Sequence, residues 1–199
     1  MSYIPVMKNI HFFKAQQEIE MQGFAVVDDV VTPEQAQSFI DLYPERDQFF
    51  SRVNMRRWKD GATDAEYKYL GAKDPFNEER VILLPYIHQI REALYEGLVE
   101  LANNWIAAIS YFNDMHHPSY PDKYDDFIAM SEEAGLTHPF VAVLACEQGK
   151  GNAVHQDQET IDIKFPFQMA VLLNDPAEFS GGRFIIQGEN KEPIYVDLE

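Results

Sequence analysis

The tripeptide His155-Gln156-Asp157 sets an imidazole and a carboxylate two residues apart. In extended chain, alternation sends such a pair to the same face, so one metal ion can reach both side chains. Joined by a second histidine from a distant strand, an imidazole and a carboxylate form the facial triad that holds non-haem Fe(II). That triad leaves positions open for a chelating oxoacid and for oxygen. The three letters alone are weak evidence, because a loop histidine beside a turn aspartate spells them equally well. Their setting is more specific. They follow the strand-like run Phe140 to Cys146 and a turn marked by Gly149 and Gly151. They precede Phe165-Pro166-Phe167-Gln168, the apolar stretch Met169 to Leu173, the turn Asn174-Asp175-Pro176, and Phe179-Ser180-Gly181-Gly182-Arg183-Phe184.

The elements that must position this constellation can be read from local pattern. Residues 10 to 22 have helix-forming composition with Gly23 as a stop, and Phe24-Ala25-Val26-Val27 has the texture of a strand. Thr32-Pro33-Glu34 offers an N-cap, a proline at the first helical position and an early carboxylate, predicting a helix to about Leu42, before Pro44. Residues 51 to 79 are polar and aromatic and read as irregular, with one short strand. From Pro85 to Ile109, apolar residues at 87, 90, 94, 98, 101, 105 and 109 trace one face of a long helix. A shorter helix is expected from about Asp122 to Ala134, ending at Gly135. Phe165 to Leu173, Arg183 to Ile186 and Ile194 to Val196 read as further strands. Helices come first and β-structure last, within a single domain over 1–199: a mainly helical part over 1–135 and strands over 136–199.

Composition bounds the rest. The chain has 199 residues, 46% of them hydrophobic, enough for a globular core. One cysteine, Cys146, excludes an internal disulfide framework and paired-cysteine zinc sites, which makes the cytoplasm the expected compartment. No stretch approaches the roughly 18 uninterrupted apolar residues of a membrane span. Against 16 Lys and Arg stand 33 Asp and Glu, a formal charge of −17 that should repel phosphate backbones. The local basic group Arg52, Arg56, Arg57 and Lys59 reads as a solvated face rather than an anion pocket. Cys146 and the histidines at 11, 88, 116, 117 and 138 read as structural or surface residues.

The order His155-Gln156-Asp157, Phe165-Pro166-Phe167-Gln168, apolar strand, then Phe179-Ser180-Gly181-Gly182-Arg183-Phe184 resembles the bacterial 2-oxoglutarate/Fe(II) dioxygenases. Those proteins read His-Gln-Asp, Phe-Pro-Leu-Gln, a strand ending Leu-Leu and Phe-x-Gly-Gly-x-Phe. A looser likeness reaches back through Glu66-Tyr67-Lys68-Tyr69 and Ala102-Asn103-Asn104-Trp105. The resemblance implies an α+β fold in which N-terminal helices pack on a partial double-stranded β-helix, or jelly-roll, core. It implies Fe(II) as metal, with His155 and Asp157 as ligands, and 2-oxoglutarate as cosubstrate. The chemistry implied is decarboxylation of 2-oxoglutarate to succinate, coupled to hydroxylation or oxidative demethylation of a substrate. Gln168 matches the family's glutamine and is assigned a pocket-lining role. Arg183 stands where an acidic residue is usual.

The family's distal histidine and the arginine that anchors 2-oxoglutarate have no counterpart after His155, so an incomplete chain is expected. An unclosed β-helix would leave an open sheet edge, which a homodimer could cover. The reading from a different class is a noncatalytic remnant that keeps the fold for partner binding. The charge favours a small-molecule, amino-acid or peptide substrate over nucleic acid.

Overall fold

Helix α1, Phe12–Gln22, ends where the sequence places its stop: Gly23 adopts the left-handed conformation at φ 88°, and its N–H bonds the Ile19 carbonyl. Helix α2, Pro33–Leu42, opens with a capping box. The Thr32 hydroxyl accepts from the Gln35 N–H at 3.2 Å, while the Gln35 side chain accepts from the Thr32 N–H at 2.8 Å. These elements come from a computed structural model describing residues 11–54, 66–74, 77–82, 85–113, 119–136, 141–152, 155, 165–188 and 192–197.

Among the described residues the chain forms two compact units. The first comprises residues 1–31, 83–138 and 159–171, and the second comprises 32–82, 139–158 and 172–199.

The first unit is built on α3, Pro85–Asn113, a 29-residue helix, with α4, Tyr124–Glu133, beside it. Ile87, Ile90, Leu98 and Leu101 of the predicted face are buried. A neighbouring stripe, Tyr95, Val99 and Ala102, is buried as well, against Tyr120 and the α4 residues Tyr124 and Phe127. Two stripes of apolar side chains on one helix mean that it is covered on more than one side. Ile109, the last residue of the predicted face, is exposed. Polar groups pin the loop before α4: Asn103 exchanges two hydrogen bonds with the Tyr120 backbone, at 2.7 and 3.0 Å, and the Tyr95 hydroxyl donates to the Pro121 carbonyl at 2.5 Å. Phe165 and Phe167 pack onto this core, Phe165 tilted over Tyr95 with ring centroids 4.7 Å apart.

The second unit holds α2 and the sheets. Strands β1, Phe49–Asn54, β2, Glu66–Leu70, and β5, Ala142–Ala145, form an antiparallel sheet with β2 in the centre. Strands β3, Ala72–Asp74, and β4, Asn77–Ile82, pair with each other, as do β6, Phe184–Ile186, and β7, Ile194–Val196.

The fold is therefore mixed helix and sheet, as expected, but its strands are distributed differently. Four of them lie across 49–82, overlapping the stretch 51–79 expected to be irregular with one short strand. The apolar run Phe24 to Val27 is not in a strand, nor is the stretch Phe165 to Leu173. An apolar run becomes a strand only where a neighbour completes its hydrogen bonds. The described strands form small antiparallel sheets and not a closed barrel.

Candidate functional site

His155 lies in the second unit, beyond β5 and the turn at Gly149, whose φ is 76°. Its side chain is exposed. Asp157 falls outside the described residues, so the spacing of the two groups rests on sequence alone. As donors, an imidazole nitrogen and a carboxylate oxygen suit Fe(II). Among the described residues no group of three or more His, Cys, Asp or Glu side chains gathers as a metal site.

Gln168 belongs to the first unit. From 165 to 170 burial alternates: Phe165, Phe167 and Met169 are half-buried, while Pro166, Gln168 and Ala170 are exposed. The two phenylalanines face the aromatic core, which leaves the Gln168 amide toward solvent. Gly181 and Gly182 have φ of 86° and 73°, the left-handed values that glycine adopts without strain, and they carry the chain into β6. Arg183 pairs with Asp197 at 2.8 Å. The two flank the paired residues Phe184 and Val196, so this is a cross-strand contact at the end of the β6–β7 ribbon.

Of the basic group, Arg52 is ion-paired: one Nη lies 2.8 and 3.0 Å from the two Glu66 oxygens. Its side chain is 47% exposed, which agrees with a solvated face. Arg56, Arg57 and Lys59 lie outside the described residues, as do His116, His117 and His138. His88 is half-exposed, 3.6 Å from Asp125.

The structure adds a polar cluster that the sequence did not announce. Lys68, on the inward face of β2 with Leu70, is only 7% exposed. Its ammonium donates to the Tyr43 carbonyl at 2.6 Å, sits 3.8 Å from the Tyr43 ring centroid and lies 3.7 Å from Glu66. A lysine is buried only when paired in this way. The Arg52 hydrogen bond, with smaller help from the Arg52 and Lys68 charges, holds the Glu66 carboxyl below its ordinary range. Burial, then the Glu66 charge, pushes the Tyr43 hydroxyl up to about 12. The alternation of Lys68 with Leu70 on a half-buried strand was the available signal. The cluster sets two cations about one carboxylate and ties the end of α2 to the sheet.

Comparison with known proteins supplies what geometry alone does not. The profile of the family Oxygenase-NA, described as oxygenases catalysing oxidative methylation of damaged DNA, matches residues 66–193, more than half of the chain. Two curated Mycobacterium tuberculosis proteins, uncharacterized protein MT2286 of strain CDC 1551 / Oshkosh and uncharacterized protein Rv2227 of strain ATCC 25618 / H37Rv, are each 32% identical to it over 101 residues. The match covers 50% of this chain and 41% of each relative. No solved structure matches. No described helix is long and apolar enough to cross a membrane.

Proposed function

Because the chain belongs to the Oxygenase-NA family of oxygenases, we propose that it works with Fe(II) and 2-oxoglutarate, His155 and Asp157 being two of the metal ligands. The observation that carries this reading is the order of motifs inside the matched span: His155-Gln156-Asp157, then Phe165-Pro166-Phe167-Gln168, then the Gly181-Gly182 turn. Bound iron with its oxoacid would supply oxygen activation and the oxidation of a substrate C–H bond. His155 would offer an imidazole nitrogen lone pair, and Asp157 a carboxylate that offsets part of the metal's charge. Exposure of His155 leaves its ring accessible to a metal. Gln168 would present its amide to a ligand. A jelly-roll core, closed by strands beyond those described, is part of the same proposal.

The family description speaks of damaged DNA. A formal charge of −17 opposes a phosphate backbone, so a small molecule, an amino acid or a peptide side chain is the proposed substrate class. The single cysteine suits a reducing cytoplasm.

The test is anaerobic loading with Fe(II), followed by 2-oxoglutarate and oxygen. Succinate release is expected, together with loss of both Fe(II) binding and succinate in His155→Ala and Asp157→Ala. If the chain binds no Fe(II), or if both variants bind it as the parent does, the ligand assignment fails. Retention of single-stranded DNA at physiological salt would reverse the substrate reading.

A further inference from the structure

The turn from Leu172 to Arg183 encloses a shallow cavity of about 180 Å³ at the end of the β6–β7 ribbon. Leu172, Pro176 and Phe179 form its apolar lining, and Arg183 and Asp197 its charged one. We propose that this cavity binds the carboxylate of a small monoanion through Arg183, with the ligand's short apolar tail lying against Leu172, Pro176 and Phe179.

Three features carry the proposal. The Arg183 Nε lies 2.8 Å from an Asp197 carboxylate oxygen, an ion pair made on the Nε side of the guanidinium. Four of its five N–H donors sit on the two Nη atoms, whose fork matches a carboxylate. The Arg183 side chain is 57% exposed, so a ligand can reach it.

Charge then selects the class. One guanidinium already balanced by Asp197, in a chain of net charge −17, does not suit a dianionic phosphate, whereas it can share a single negative charge.

The third feature is the turn itself. Gly181 and Gly182 both have positive φ, and a Cβ at Gly182 would stand 3.4 Å from the Phe179 ring. Phe179 thus lies along the turn at ordinary contact distance from Gly182, and the space beside Gly181 is open. The volume equals about six waters, which suits a ligand of roughly six to eight non-hydrogen atoms.

Isovalerate, titrated into the full chain without iron or oxoacid, is the probe, and the Leu172 methyl signals in carbon-resolved NMR are the readout. Leaving out iron and oxoacid makes the outcome independent of the oxygenase reading. Saturable shifts are expected, with about tenfold weaker binding for neutral isovaleramide and for Arg183→Gln. Asp197→Asn tests whether the arginine acts only as a ribbon tie. It breaks the same ion pair but keeps the guanidinium, so binding equal to or tighter than the parent is expected. If Asp197→Asn loses isovalerate as fully as Arg183→Gln, the pair is structural and the proposal is overturned. Equal affinity for acid and amide, or tighter binding of inorganic phosphate at the same signals, also overturns it.

Discussion

Gly97 lies midway along α3 against Phe12 of α1, and Gly97→Ala should destabilise the protein although alanine is the better helix former. A Cβ at this position would stand 2.4 Å from the Phe12 ring carbons Cδ1 and Cε1 and 2.7 Å from Cγ. Carbon contacts are optimal near 3.5 to 4.0 Å, so the overlap exceeds about 1 Å. Rotation of the ring cannot relieve it, because Cγ lies on the rotation axis. Either Phe12 leaves its rotamer or α1 shifts away, and the shift would stretch the 2.8 Å hydrogen bond from Gln16 to the Gly97 carbonyl. Overpacking of this kind costs about 1–3 kcal/mol, against about 1 kcal/mol gained from helix propensity. A net loss of about 1 kcal/mol is expected. In a Phe12→Ala background the obstacle is gone, and the same substitution should stabilise by about 1 kcal/mol. Urea unfolding followed by far-ultraviolet circular dichroism on the four members of the cycle gives both values. If Gly97→Ala stabilises the parent, or shifts both backgrounds equally, the steric reasoning is refuted.

Loss of the Thr32 hydroxyl removes one arm of the α2 capping box, so Thr32→Ala should cost about 1 kcal/mol in urea unfolding, with Thr32→Ser close to the parent. At acid pH, Glu66 contributes stability above its unfolded pKa of about 4.3, and that stability is lost as pH falls through its lowered folded value. Arg52→Gln should flatten this acid limb, checked by unfolding series between pH 3 and pH 6. At the alkaline end the sign reverses. Burial holds Tyr43 and Tyr120 protonated up to about 12, while an unfolded tyrosine ionises near 10. Stability should therefore fall as pH rises from about 10 to about 12, and the part of the tyrosinate absorbance that belongs to these two rings should appear together with unfolding.

The helices were legible because their signals are local. The Thr32-Pro33 start, the Gly23 stop and the periodicity of α3 each act within a few residues of where they are written. The strands were less so. Nothing near Glu66 to Leu70 reveals that this polar, aromatic segment is a central strand, since the partner that makes it central, β5, is distant in sequence. Phe165 and Phe167 illustrate the converse: an apolar alternation that looks like a strand is satisfied by packing on aromatic rings. At the candidate site, residue types and motif order pointed to His155, Asp157 and Gln168, while the Lys68 cluster emerged only when α2 and the sheet came together. A buried lysine looks like any other in a sequence until its acceptors are placed around it.

The central position of β2 also orders events in time. Between Leu70 and Ala142, the facing ends of β2 and β5, run residues 71–141, including the β3–β4 hairpin, α3 and α4. Closing a loop of that length from a disordered chain costs about 4 kcal/mol before the first inter-strand bond forms. Contacts between α3 and α4 span far fewer residues and need no such closure. The helices should therefore assemble early and shorten the search, with the three-stranded sheet sealing late. In pulsed hydrogen exchange during refolding, α3 amides should gain protection before those of Tyr67 and Lys68, and the opposite order would refute this. Slow sealing leaves β2 unpaired on its β5 side for a time, so refolding yield should fall with protein concentration.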